Sequence, residues 1–137
     1  VNYNITNTIY NYTVQYTLRE EEYSKLVEIL SNSENGYNAF LITFIKEVKG
    51  DVNKVLRILN VGVKSHVKIF NVSLLSYFVS VLKEAIILAN YKDYIKDDGF
   101  ISVVQISKNM RFEMAGIDRH TIIRTFKKYN IDYNNKR

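Results

Sequence analysis

A chain of 137 residues that is 47% hydrophobic, 13% aromatic and 24% charged can bury roughly two thirds of its extended surface, which excludes a disordered tail. It contains no Cys, so a disulfide framework and thiolate chemistry are excluded and the natural expectation is an intracellular protein. The formal net charge of +5 is uneven: residues 1–49 carry a net −2, residues 50–92 a net +4, and residues 99–137 hold eight basic against three acidic side chains. A positive field concentrated at one end attracts polyanions or anionic surfaces, although a solvated face gives the same count.

The chain opens on Val1 with no signal-peptide pattern, and the missing start Met suggests a piece cut from a larger protein. Asn4, Asn11 and Asn71 begin glycosylation sequons, which an Asn-rich chain produces by chance. Tyr10, Tyr12, Val14, Tyr16 and Leu18 alternate with polar residues, the period-two pattern of a half-buried strand or an arm. Thr17 followed by Glu20 has the form of a capping box, with Glu20, Glu21 and Glu22 as helix-start charges and Tyr23, Leu26, Val27 and Leu30 on one face. This predicts a helix over 18–30. After the loop SNSENGYN, Phe40, Leu41, Phe44, Ile45 and Val48 predict a second helix that stops near Gly50.

Five glycines and no proline punctuate the chain, and Gly36, Gly50, Gly62, Gly99 and Gly116 each read as a helix end or turn. Asp51 caps a helix with Val52, Val55, Leu56 and Leu59 inward. The turn Asn60-Val61-Gly62 then leads into a second short helix with Val63, Val67 and Phe70 inward. A long helix over 72–89 follows, apolar nearly all round except for Ser73, Ser76, Ser80, Lys83 and Glu84. It reads as the central core element, with a homodimer seam as the other use of that surface. Those interruptions argue against a membrane span, which needs about 20 largely uncharged residues, so no membrane partner is expected. Asp97, Asp98 and Gly99 form a turn, Ser102 caps a further helix with Val103, Ile106 and Met110 inward, and the tail Ile131 to Arg137 reads as loose.

The stretch Gly116 to Lys128, GIDRHTIIRTFKK, resembles the turn and recognition helix of helix-turn-helix DNA-binding proteins. In that pattern Gly116 permits a left-handed turn, Ile117 plugs the angle between helices and Asp118 caps the second helix. Ile122 and Phe126 face the core, leaving Arg119, His120, Ile123, Arg124 and Lys127 outward. RFEMA makes the turn longer than the usual three or four residues. Gly50 to Phe70 resembles the same motif a second time, although the family register would plug the turn with Val61 and bring His66 inward. The resemblance covers some twenty to thirty residues at each site and none of the first 49.

What the resemblance implies is a mainly α fold: a helical bundle with one or two helix-turn-helix units, divided as 1–50, 51–92 and 93–137. It further implies sequence-specific binding of double-stranded DNA, as a regulator or as the DNA-recognition part of a replication, partition or transposition protein. Arg119, His120, Ile123 and Arg124 would contact bases, and Thr121, Lys127, Lys128, Lys64, Ser65 and Lys68 phosphates. Two rival readings stand beside it: a helical accessory domain of an archaeal-plasmid-type primase-polymerase, binding single-stranded template or nucleotide, and a helical protein-interaction module. No cofactor or metal is expected, since His66 and His120 are far apart and no ligand set or catalytic motif accompanies them.

Overall fold

Local capping chemistry decides where most of the helices begin. The structure, a computed structural model, describes residues 18–32, 36–49, 51–66 and 72–134. The alternating stretch from Tyr10 to Tyr16 lies outside the described residues, as do Thr17, Lys68, Val67 and Phe70 and the side chain of Val63. The fold is mostly helical, with α1 at Glu20–Leu30, α2 at Gly36–Glu47, α3 at Val52–Lys64 and α4 at Val72–Asn90. A 3-10 turn, Tyr91–Tyr94, leads to β1 (Ile101–Ser102), α5 (Val103–Ser107), α6 (Met110–Met114), α7 (Arg119–Lys128) and β2 (Tyr133–Asn134).

Helix α1 begins two residues later than the sequence predicts, and Glu22 rather than Glu20 closes its first turn by accepting from the Arg19 backbone N–H at 2.8 Å. Asp51 caps α3 through the Lys54 N–H at 3.2 Å, and Val52, Val55, Leu56 and Leu59 are all buried, as their spacing requires.

The predicted turn at Asn60-Val61-Gly62 is absent, because α3 runs through it without a break. Gly62 is buried in the helix. A lone glycine costs a helix only about 1 kcal/mol, which burial of the Val55–Leu59–Gly62 face offsets. Val61, expected to plug an inter-helix angle, is 61% exposed. The first helix-turn-helix resemblance is therefore corrected to one continuous helix with Lys64 in its last turn.

Helix α4 is the element against which the others pack. Leu74, Leu75, Phe78, Val79, Val81, Leu82, Ala85, Ile86 and Ile87 are buried, while Ser73, Ser76 and Ser80 form its exposed stripe. Helices α1, α2, α3 and α7 all lie against it. By length and composition the stretch Ser73–Tyr94 could cross a bilayer, but its apolar side chains are enclosed by this chain's own helices, as in a core element. One apolar core runs from Leu26 to Phe126 and crosses all three segments expected from the sequence.

A buried polar cluster ties the ends of this assembly together. Glu22 is fully buried and accepts from Arg111 Nη2 at 2.7 Å and Asn90 Nδ2 at 2.8 Å, linking the start of α1, the end of α4 and α6. The helix-start reading of Glu22 thus covers only part of its role. Replacing Glu22 by Leu leaves the Arg111 guanidinium without this partner. The expected loss is about 2–3 kcal/mol, below the usual range for a broken buried pair because Arg111 keeps some water. Adding Arg111→Met to Glu22→Leu should recover most of it. Thermal unfolding of the two variants measures both effects.

Candidate nucleic-acid interface

The C-terminal helices are placed by a series of short caps. Ser102 Oγ accepts from the Gln105 N–H at 3.3 Å to start α5, as the sequence predicts. The helix then stops at Lys108, because Asn109 turns extended and caps α6 through the Arg111 N–H at 2.7 Å. Asn109 also donates to the Tyr94 hydroxyl. The break puts the residues RFEM, expected in a lengthened turn, into a helix of their own instead. It also rotates the register, so Met110, expected inward, is 73% exposed and Phe112 is buried instead.

Helix α6 ends on Gly116 at φ +72°, with Gly116 N–H donating to Glu113 O at 3.0 Å and Ile117 N–H to Phe112 O at 2.8 Å. This pair of bonds is a Schellman motif, which requires the left-handed conformation that glycine adopts without strain. Ile117 is buried in the angle before α7. Asp118 Oδ1 then accepts from both the Thr121 N–H and the Thr121 hydroxyl, each at 2.8 Å. The two bonds from Thr121, backbone first, hold the Asp118 carboxyl below the usual carboxylate range.

With Ile122, Thr125 and Phe126 buried, α7 presents Arg119, His120, Arg124 and Lys127 to solvent. His120, Ile123, Arg124 and Lys127 line a shallow open depression. Ile123 is half-buried against the core, so only part of its side chain is offered outward. Among the described residues, no acidic side chain forms an ion pair with Arg119, Arg124 or Lys127. Arg124 Nη2 makes one long contact, 3.4 Å, to the Thr121 hydroxyl oxygen.

The phosphate-contact set changes more. Thr121 spends its hydroxyl proton and its backbone N–H on Asp118, so neither faces a ligand. Lys128 points back to α4, where its Nζ lies 3.0 Å from Oε1 of the buried Glu84. The Tyr129 hydroxyl donates to the same oxygen at 2.9 Å. Burial, then the Glu84 charge, pushes the Tyr129 hydroxyl well above its ordinary range. Lys64 and Ser65 are exposed at the end of α3 rather than on a second recognition helix, and the Ser65 N–H is taken by Val61 O at 2.9 Å.

One cation beside the site was not singled out from the sequence. Lys83 comes from α4 and is half-buried next to the Gly116 turn. Burial lowers its proton affinity, Asp118 opposes that shift, and Arg124 reinforces it. Its place in the apolar run Val81 to Ala85 was the available signal, since a lysine there must reach a surface or a partner.

Residues 131–134 of the tail, expected to be loose, are instead held in place. Asn130 at φ +55° ends α7, its N–H and that of Ile131 return to Lys127 O and Phe126 O, and Tyr133 pairs in parallel with Ile101. The chain matches no protein-family model, no curated protein and no solved structure in the three comparisons made.

The Asp118 cap sets a stability window. A carboxyl held low in the folded state adds stability that is complete above the unfolded value, about 3.9, and fades as pH falls through the folded one. Asp118→Ala should lose about 1 kcal/mol at neutral pH. The gap between wild type and that variant should narrow in acid, as read by denaturant unfolding over a pH series.

Proposed function

We propose that this chain binds double-stranded DNA by laying α7 into the major groove. The observation that carries this reading is a helix capped by Asp118 whose exposed face holds Arg119, His120, Arg124 and Lys127, with no ion pair to Arg119, Arg124 or Lys127 among the described residues. A groove about 12 Å wide admits one helix, with side chains near its N-terminus at base edges. Arg119 and His120 open α7, and Arg124 follows about a turn and a half later. Arginine can donate two parallel hydrogen bonds to guanine, so these positions suit base reading, while Lys127 suits a phosphate.

The basic excess of the C-terminal segment supplies a field that draws in a polyanion. Lys128 is left out of the contact set because Glu84 holds it. A clamp by a second recognition helix is left out as well, since α3 is continuous.

Titration against duplex and single-stranded DNA at two salt concentrations tests the reading. Duplex preference with affinity falling steeply in salt is the expected result; preference for single strands or nucleotides, or no binding, would overturn it. On a duplex selected from random sequences, Arg119→Ala and Arg124→Ala should each cost about 1–3 kcal/mol more than on random duplex. Lys127→Ala should weaken both alike and lower the salt slope by about one unit, and Lys128→Ala should leave the slope unchanged.

A further inference from the structure

Four segments of the chain converge on a partly open cleft at the end of α7 that lies away from the Asp118 cap. Its lining comes from α1, from the last turn of α4, from the 3-10 turn and from the residues that follow α7, and it holds about 360 Å³. That volume falls within the range of small-molecule sites, about 300–1,000 Å³. Half-buried Ile29, Leu88 and Ile131 supply an apolar lining, with Tyr91 and Tyr129 beside them.

Ile29 and Leu88 are carried by helices, and the other walls are tethered to the core. The Tyr129 hydroxyl donates to Glu84 Oε1 at 2.9 Å, the Ile131 N–H donates to Phe126 O at 2.8 Å, and Tyr91 makes an edge contact with the Phe126 ring, centroids 5.7 Å apart. Walls fixed in this way need little ordering by a ligand.

The charged part of the lining is Lys25, Lys92 and one carboxylate, Glu28. Lys25 Nζ lies 2.9 Å from Glu28 Oε2, whereas Lys92 is exposed and forms no ion pair among the described residues. Glu84, which the Tyr129 hydroxyl reaches, is matched by Lys128. One positive charge is therefore left in excess beside apolar and aromatic walls.

We propose that this cleft binds a small aromatic carboxylate, with its flat body against Ile29, Leu88 and Ile131 and its carboxylate on the Lys92 ammonium. Apolar burial supplies the affinity for the body, and the charge-assisted bond to Lys92 selects the anion over a neutral molecule of the same shape. The inference stands apart from the duplex-binding reading, because no residue of the cleft belongs to the α7 face on which that reading rests.

Titration of the full chain with naphthoate, followed by two-dimensional amide NMR spectra, tests it. The expected result is saturable movement of amides within residues 25–32, 88–92 and 129–131. Naphthamide, which has the same shape without the charge, should bind about tenfold more weakly. Lys92→Met should weaken naphthoate binding by a similar factor, whereas Lys54→Met, which removes an exposed cation on α3, should leave it unchanged.

Movement that does not saturate, or that centres on other residues, overturns the site. Equal affinity for the amide, or a Lys92→Met protein that binds naphthoate like the wild type, overturns the assignment of an anion held by Lys92. Equal losses from Lys92→Met and Lys54→Met overturn it as well, since they are the mark of a diffuse charge effect.

Discussion

The constraint on which the rest of the molecule depends is the burial of the apolar side of α4. A helix with so many enclosed aliphatic and aromatic side chains gains roughly 1.5–3 kcal/mol for each large one fully buried, far more than capping or surface ion pairs supply. Helices α1, α2, α3 and α7 lie where they cover it. At its centre stand two charged residues, Lys83 and Glu84, and both are directed to α7. Glu84 holds the far end through Lys128 and Tyr129, while Lys83 stands beside the turn at the near end. An adjacent pair of opposite charges in an otherwise uncharged helix thus meets α7 near both its ends, while apolar burial holds α7 against the core.

What could be read from the sequence was mostly local. Asp51, Ser102 and Asp118 cap the helices they precede, because a short oxygen-bearing side chain satisfies an orphan N–H whatever lies further away. Gly116 turns left-handed for an equally local reason. Gly62 does not, because the cost of a glycine inside a helix is small beside the packing of its face, and packing is a tertiary fact. Met110 was misplaced because Asn109 offered a second cap in the middle of a plausible helical period. Glu22 looked like one of three interchangeable helix-start charges; its burial depends on Asn90 and Arg111, which lie far along the chain.

The start of the tail carries a local signal of its own. Phe112 to Ile117 reads FEMAGI and Phe126 to Ile131 reads FKKYNI, and both end a helix in the same way. Each places a phenylalanine carbonyl under the N–H of an isoleucine five residues on, with Gly116 or Asn130 left-handed between them. Asparagine tolerates that conformation better than most residues, which makes it the usual substitute for glycine at this position. Asn130 as the counterpart of Gly116 pins residues 131–134, with Ile131 and Tyr133 packed against the core. The tilted contact of Tyr133 on Phe126, centroids 5.7 Å apart, then holds the core face of α7 from the C-terminal side.

The electrostatic character of α7 follows from where the nearby carboxylates go. Glu84 faces inward to Lys128 and Tyr129, Asp118 is turned onto its own helix, and Glu22 is enclosed with Arg111 and Asn90. Each is engaged in a structural task, and among the described residues none forms an ion pair with Arg119, Arg124 or Lys127. A charge count weighs these acids equally with the bases, and it therefore understates the field at the exposed face. Acids with short side chains serve caps and buried pairs, whereas the long basic side chains of α7 extend into solvent, where screening by salt is the main limit on their reach. The same division explains why removing an α7 arginine should alter binding more than folding, while removing Glu22 should do the reverse.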